Sequence, residues 1–89
     1  MEKHQFTSAE VLTIVRRGLF AIDDLYGSGQ QLWFNLVKRD IRKHIDIEDD
    51  PVLYALINEV DENLEINPEA AVRALNQLLM FVSTIETTD

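Results

Sequence analysis

The stretch that decides the fold is residues 50–70, DPVLYALINEVDENLEINPEA. It carries the same start signal twice. Asp50-Pro51 and Asn67-Pro68 each set a side-chain acceptor at a helix N-cap, followed by a proline at the first helical position, where a missing N–H costs nothing. Between them Val52, Leu53, Leu56, Ile57, Val60 and Leu64 recur at helical spacing as a narrow apolar stripe. After the second signal, Glu69 meets the positive end of the helix dipole, and Ala71, Leu75, Leu78, Val82 and Ile85 continue the pattern. These readings give two helices, at about 51–65 and 68–86.

Toward the N-terminus, Thr7-Ser8-Ala9-Glu10 reads as a capping box, in which Thr7 and Glu10 satisfy each other's backbone amides. The stripe Val11, Leu12, Val15, Leu19, Ile22 and Tyr26 follows, and Gly27 is suited to the position just past a helix end. Ser28, with Gln31 three residues on, reads as a second box. The next helix carries Trp33, Phe34, Val37, Ile41 and Ile45 and frays within 45–47. The first two helices therefore span about 8–26 and 29–45. No window shows sustained alternation of period two. Short connections favour neighbouring helices of opposite direction, so the expected fold is all-α, a small antiparallel four-helix bundle. With 89 residues, 46 % of them apolar, the chain has room for one core. It reads as a single domain, 1–89, with 1–6 and 87–89 as flexible tails.

Helix 4 has more apolar surface than a peripheral helix needs. Its arc runs from Ala70, Ala74 and Phe81 round to Leu79 and Val72, about 200° against the roughly 100° of an ordinary amphipathic helix. Helix 2 is also broad, because Leu32 and Leu36 lie outside its main row. Either helix 4 sits centrally among its neighbours, or helices 2 and 4 offer an interface to another chain.

Several chemistries are excluded or unsupported. The chain has no Cys, which removes disulfides, thiolate zinc sites and cysteine nucleophiles. His4 falls in the N-terminal tail, and His44 reads as a boundary residue in the last turn of helix 2. A nucleophile elbow at Gly27-Ser28-Gly29 would need its first glycine two residues before Ser28, where Tyr26 stands, and no Lys-Ser or Lys-Thr pair completes a phosphate loop. The acids of 46–50 resemble the start of a calcium loop, but Pro51 and Ile57 occupy the positions of the required Gly and Glu. A start at Asp61 fails in the same way, at Ile66 and Val72. The expectation is therefore no enzyme, no cofactor and no metal. No run reaches the roughly 18 apolar residues of a membrane span, and the N-terminus lacks an apolar signal-peptide core, so no membrane partner and a cytoplasmic location are expected.

Charge is divided unevenly along the chain. The formal total is −8. Residues 1–45 hold five acids and seven bases, whereas residues 46–89 hold eleven acids and one base, Arg73. Lys38, Arg39, Arg42 and Lys43 share an outer face of helix 2. No aromatic is interleaved with them, so they read as a solvated face answering nearby acids, and nucleic acid is not the expected partner. Helix 3 presents Asn58, Glu59, Asp61, Glu62 and Glu65 opposite its stripe. Tyr54 stands at the edge of that face, in line with Asn58, Asp61 and Glu65. A tyrosine among acids suits a basic partner: the ring supplies contact area and the carboxylates steer approach. On helix 1, Phe20 lies outside the apolar stripe, among charges; Met80 on helix 4 is a weaker example.

The expected partner-binding residues are Tyr54, Asn58, Asp61, Glu62, Glu65, Phe20 and, in the preceding loop, Asp49. The expected function is a small acidic, non-enzymatic binding protein. It would act as inhibitor, regulator or adaptor by docking on a larger protein with a basic surface. Two alternatives stand beside it: self-association as a homodimer through the surplus apolar surface of helices 2 and 4, and a nucleic-acid mimic that offers carboxylates where phosphates would lie.

Overall fold

A computed structural model of the chain describes residues 6–24 and 29–88. Four helices run in chain order, α1 (Ser8–Asp23), α2 (Gln30–Arg42), α3 (Pro51–Asn63) and α4 (Pro68–Ser83), with a single 3-10 turn at Ile47–Asp49 between α2 and α3. The chain is all-α, a small helical bundle. Among the described residues the only extended pairing is an isolated bridge between Phe6 and Thr87.

Three of the four starts follow from the caps in the sequence. Thr7 Oγ1 accepts from the Glu10 amide at 3.2 Å, and Glu10 Oε1 accepts from the Thr7 amide at 2.9 Å. Asp50 Oδ1 accepts from the Leu53 amide at 3.1 Å, and Asn67 Oδ1 from the Ala70 amide at 3.3 Å. Each such cap is worth about 0.5–2 kcal/mol relative to alanine. α2 differs. Its N-cap is Gly29, which has no side chain to cap with, and Gln31 Nε2 donates to Asn35 Oδ1 at 3.0 Å. Tyr26, Gly27 and Ser28, and the roles expected of them, lie outside the described residues, as does His4.

All four helices end earlier than the apolar pattern extends, at Asp23, Arg42, Asn63 and Ser83. Ile45 and Ile85 still pack on the core from beyond the last turns. In the α2–α3 link, Ile47 is buried and anchors the 3-10 turn, with the Asp50 amide donating to Ile47 O. Thus 45–47 is a short ordered corner where fraying was expected. Residues 6 and 87 were both assigned to tails, yet Phe6 is buried and its carbonyl accepts from the Thr88 amide.

α4 and α1 share the middle of the bundle: α4 packs against both α3 and α1, and α1 packs in turn against α2. Ala71, Ala74, Leu75, Leu78, Leu79 and Val82 are all buried, so most of the wide apolar arc of this helix lies inside the fold. That leaves little of it for a second copy of the chain. Met80 points to solvent.

The inward face of α1 corrects the sequence reading. The buried residues are Ile14, Gly18 and Ala21, roughly a quarter-turn from the expected stripe at 100° per residue. Leu12 and Leu19, at the edge of that stripe farthest from the buried row, are half exposed. The cause is close approach. Gly18 lies so near Leu79 of α4 that a Cβ there would overlap the leucine side chain. Small residues line such a seam, while the larger Val11, Val15 and Ile22 pack along its edge. In α3, likewise, Leu53, Ile57, Val60 and Leu64 are buried, but Val52 is exposed.

Candidate functional site

Two surfaces gather the candidate side chains. The first is the outer face of α3, and its geometry follows from helical spacing. Leu53, Ile57 and Val60 turn inward, which directs Tyr54, Glu62 and Glu65 outward. Tyr54 is 48 % exposed, and its hydroxyl has no hydrogen-bond partner among the described residues. Glu59, Glu62 and Glu65 are exposed and form no ion pair with the described residues. Asn58 is half-buried on the same side. Asp61 differs from its neighbours: Lys38 Nζ of α2 donates to both of its oxygens, at 3.0 and 3.1 Å. Lys38 also lies 5.0 Å from the centre of the Phe34 ring. Asp61 is therefore an internal α2–α3 tie, and the open carboxylates are those of Glu59, Glu62 and Glu65.

Asp49 is exposed at the end of the 3-10 turn, one residue before the α3 cap Asp50. Phe20 is half exposed, and its ring neighbour is Trp33 of α2, with centroids 4.9 Å apart. The structure thus places Phe20 in the α1–α2 surface, as one member of an aromatic pair, whereas Tyr54 and Glu62 share α3 and Glu65 stands in the turn just past it.

The second surface is a groove of about 270 Å³ between α1 and α2, lined by Glu10, Arg17, Arg39, Asp40, Lys43 and His44 among others. Among the described residues Asp40 is the buried charge, 8 % exposed. Arg17 Nη1 of α1 donates to Asp40 Oδ2. Arg39 Nη2 and Lys43 Nζ each lie 3.7 Å from Oδ1. Three cations thus surround one carboxylate, which offsets its desolvation. At the other end of the groove, His44 Nε2 lies 2.7 Å from Glu10 Oε2. A carboxylate can only accept, so Nε2 carries the proton of that bond. The ring of Phe6 packs on His44, with centroids 4.2 Å apart. The hydrogen bond from the Thr7 amide holds the Glu10 carboxyl below its ordinary pKa of 4.5; partial burial opposes this, and His44 adds to it.

Sequence reasoning passed over Asp40. A signal was present: Asp is a poor helix-interior residue, and this one stands within reach of Arg39 and Lys43 on its own helix. Arg17, however, is 23 positions away, and no local pattern pairs the two. His44 lies, as read, at the boundary of the core. Among the described residues no group of three or more His, Asp or Glu is arranged to hold a metal ion, and no helix is long and apolar enough to cross a membrane. Comparison with known protein families, with characterised proteins and with solved structures found no match to this chain.

Proposed function

We propose that the chain is a small non-enzymatic binding protein that docks on a larger, basic protein through the outer face of α3. The observation that carries this reading is the half-exposed ring of Tyr54, on the same outer side as Glu62 and Glu65, which have no internal counter-charge among the described residues. Tyrosine can bury a large apolar area at low conformational cost and is enriched among residues that dominate binding energy. The acidity of residues 46–89 would attract a basic partner over a long range, and the open carboxylates would set its orientation. Asp61 enters the reading in a reduced role. It is already tied to Lys38 and contributes mainly by holding α3 against α2. An inhibitor, a regulator and an adaptor all act through a surface of this kind.

The test is affinity measured against a partner captured by the intact chain. Tyr54→Ala combined with Glu62→Lys is expected to weaken binding at least tenfold, while Arg16→Gln, at an exposed position of α1, leaves it unchanged. Equal affinity for the wild type and the double variant would remove α3 as the docking face.

A further inference from the structure

We propose that the groove between α1 and α2 is a second site, which takes the phosphate group of a small molecule. The inference starts from a charge imbalance. Arg17, Arg39 and Lys43 converge on the single carboxylate of Asp40, although one cation would be enough to neutralise it. Glu10, the other acid in the groove, is held by the Thr7 amide and His44. The Asp40 end therefore carries surplus positive charge in a concave space of about 270 Å³.

The donors there are also unfilled. At 3.7 Å, Arg39 Nη2 and Lys43 Nζ are beyond ordinary hydrogen-bond reach of Asp40 Oδ1. Neither makes a hydrogen bond to any described residue, and their side chains are 58 % and 60 % exposed. Being four apart on α2, they rise from the same side of the helix. Arg17 gives Nη1 to Asp40, and its remaining N–H groups have no partner among the described residues. Asp40 then acts as a fixed post that gathers three cations around one space.

Those three cations match a phosphate group better than a carboxylate. A guanidinium fork and a lysine point charge are the usual means of holding phosphate oxygens, and three positive charges exceed what one carboxylate would neutralise. Size and field argue against a polymeric ligand. The volume is at or below the small end of ligand pockets, roughly 300 Å³. A molecule of net charge −8 would also repel a polyanion that extended beyond the groove.

The experiment is a two-dimensional amide NMR titration of the full chain with inorganic phosphate, at constant ionic strength balanced with chloride. The expected result is saturable shifts centred on Arg17, Arg39, Asp40 and Lys43. Glycerol phosphate should reproduce them, and acetate should bind at least tenfold more weakly. Arg39→Gln/Lys43→Gln changes two exposed side chains and should retain the wild-type melting temperature while weakening phosphate at least tenfold. Arg42→Gln should bind as the wild type does. Shifts that never saturate, or that persist undiminished in the Arg39/Lys43 variant, would reduce the effect to an adventitious ion and overturn the proposal. So would acetate equalling phosphate, or a short single-stranded oligonucleotide binding more tightly than glycerol phosphate. None of these outcomes bears on the α3 face, so the two sites stand or fall separately.

Discussion

The α3–α4 pair and the α1–α2 pair are similar in size but held together differently. Between α3 and α4 the contact is aliphatic: Leu53, Ile57, Val60 and Leu64 meet Ala71, Leu75, Leu78 and Val82, all buried. Its acids lie outside, and among the described residues Asp61 is the one acid of α3 tied to another helix. Between α1 and α2 the contact includes charge: Arg17–Asp40, Glu10–His44 and the Phe20–Trp33 pair line it, around a groove that the side chains do not fill. Apolar burial is non-directional and leaves the outer face free to vary. A buried carboxylate must keep partners, and those partners fix which side chains surround it. The first pair therefore displays its chemistry on the outside, and the second holds it at the seam.

This contrast can be tested by mutation. Leu75→Ala, in the fully buried aliphatic seam of α4, should cost about 2–5 kcal/mol. In denaturant titrations the loss should be nearly independent of salt. Asp40→Ala should cost less, about 1–3 kcal/mol for the lost charged hydrogen bond, because Arg17 is partly exposed and screened. Its loss should shrink as salt is raised. If the two losses were equal, and equally indifferent to salt, the two seams would not differ in kind.

The smallest effect concerns acid. A carboxyl whose pKa is lowered by folding contributes stability above its unfolded value, and that contribution disappears as pH falls through the lower folded value. Glu10 is such a group. The stability difference between wild type and Glu10→Gln should therefore be present at neutral pH and vanish below the ordinary carboxyl value of 4.5. A difference that stayed constant down to strongly acid pH would show that the Thr7 and His44 bonds do not favour the ionised form.

What could be read from sequence follows the same division. The helix starts at Thr7, Asp50 and Asn67 were legible because a cap is a local arrangement of three or four residues. The outward placement of Tyr54, Glu62 and Glu65 was legible because a single strong stripe fixes the rotation of α3. α1 was misread because it offers two apolar rows, and the choice between them rests on a contact with Leu79, 61 positions away. Gly18 carried no signal in the sequence, whereas in the fold it sits against Leu79 of α4 with no room for a side chain. Asp40 was hidden for a related reason: its burial depends on Arg17 from another helix. Phe20 was read as lying outside the apolar stripe, and it is half exposed, but its aromatic partner Trp33 was assigned to the core row.

The docking claim is tested most directly by association and dissociation rates of the chain with its basic partner, measured across a range of salt. Glu62→Lys is expected to lower the association rate, most strongly at low salt, because open carboxylates at the rim steer approach. Tyr54→Ala is expected to leave association nearly unchanged and to accelerate dissociation, as the loss of a contact anchor should. Rates that are unchanged by both substitutions, and insensitive to salt in the wild type, would contradict the assignment of α3 as the binding face.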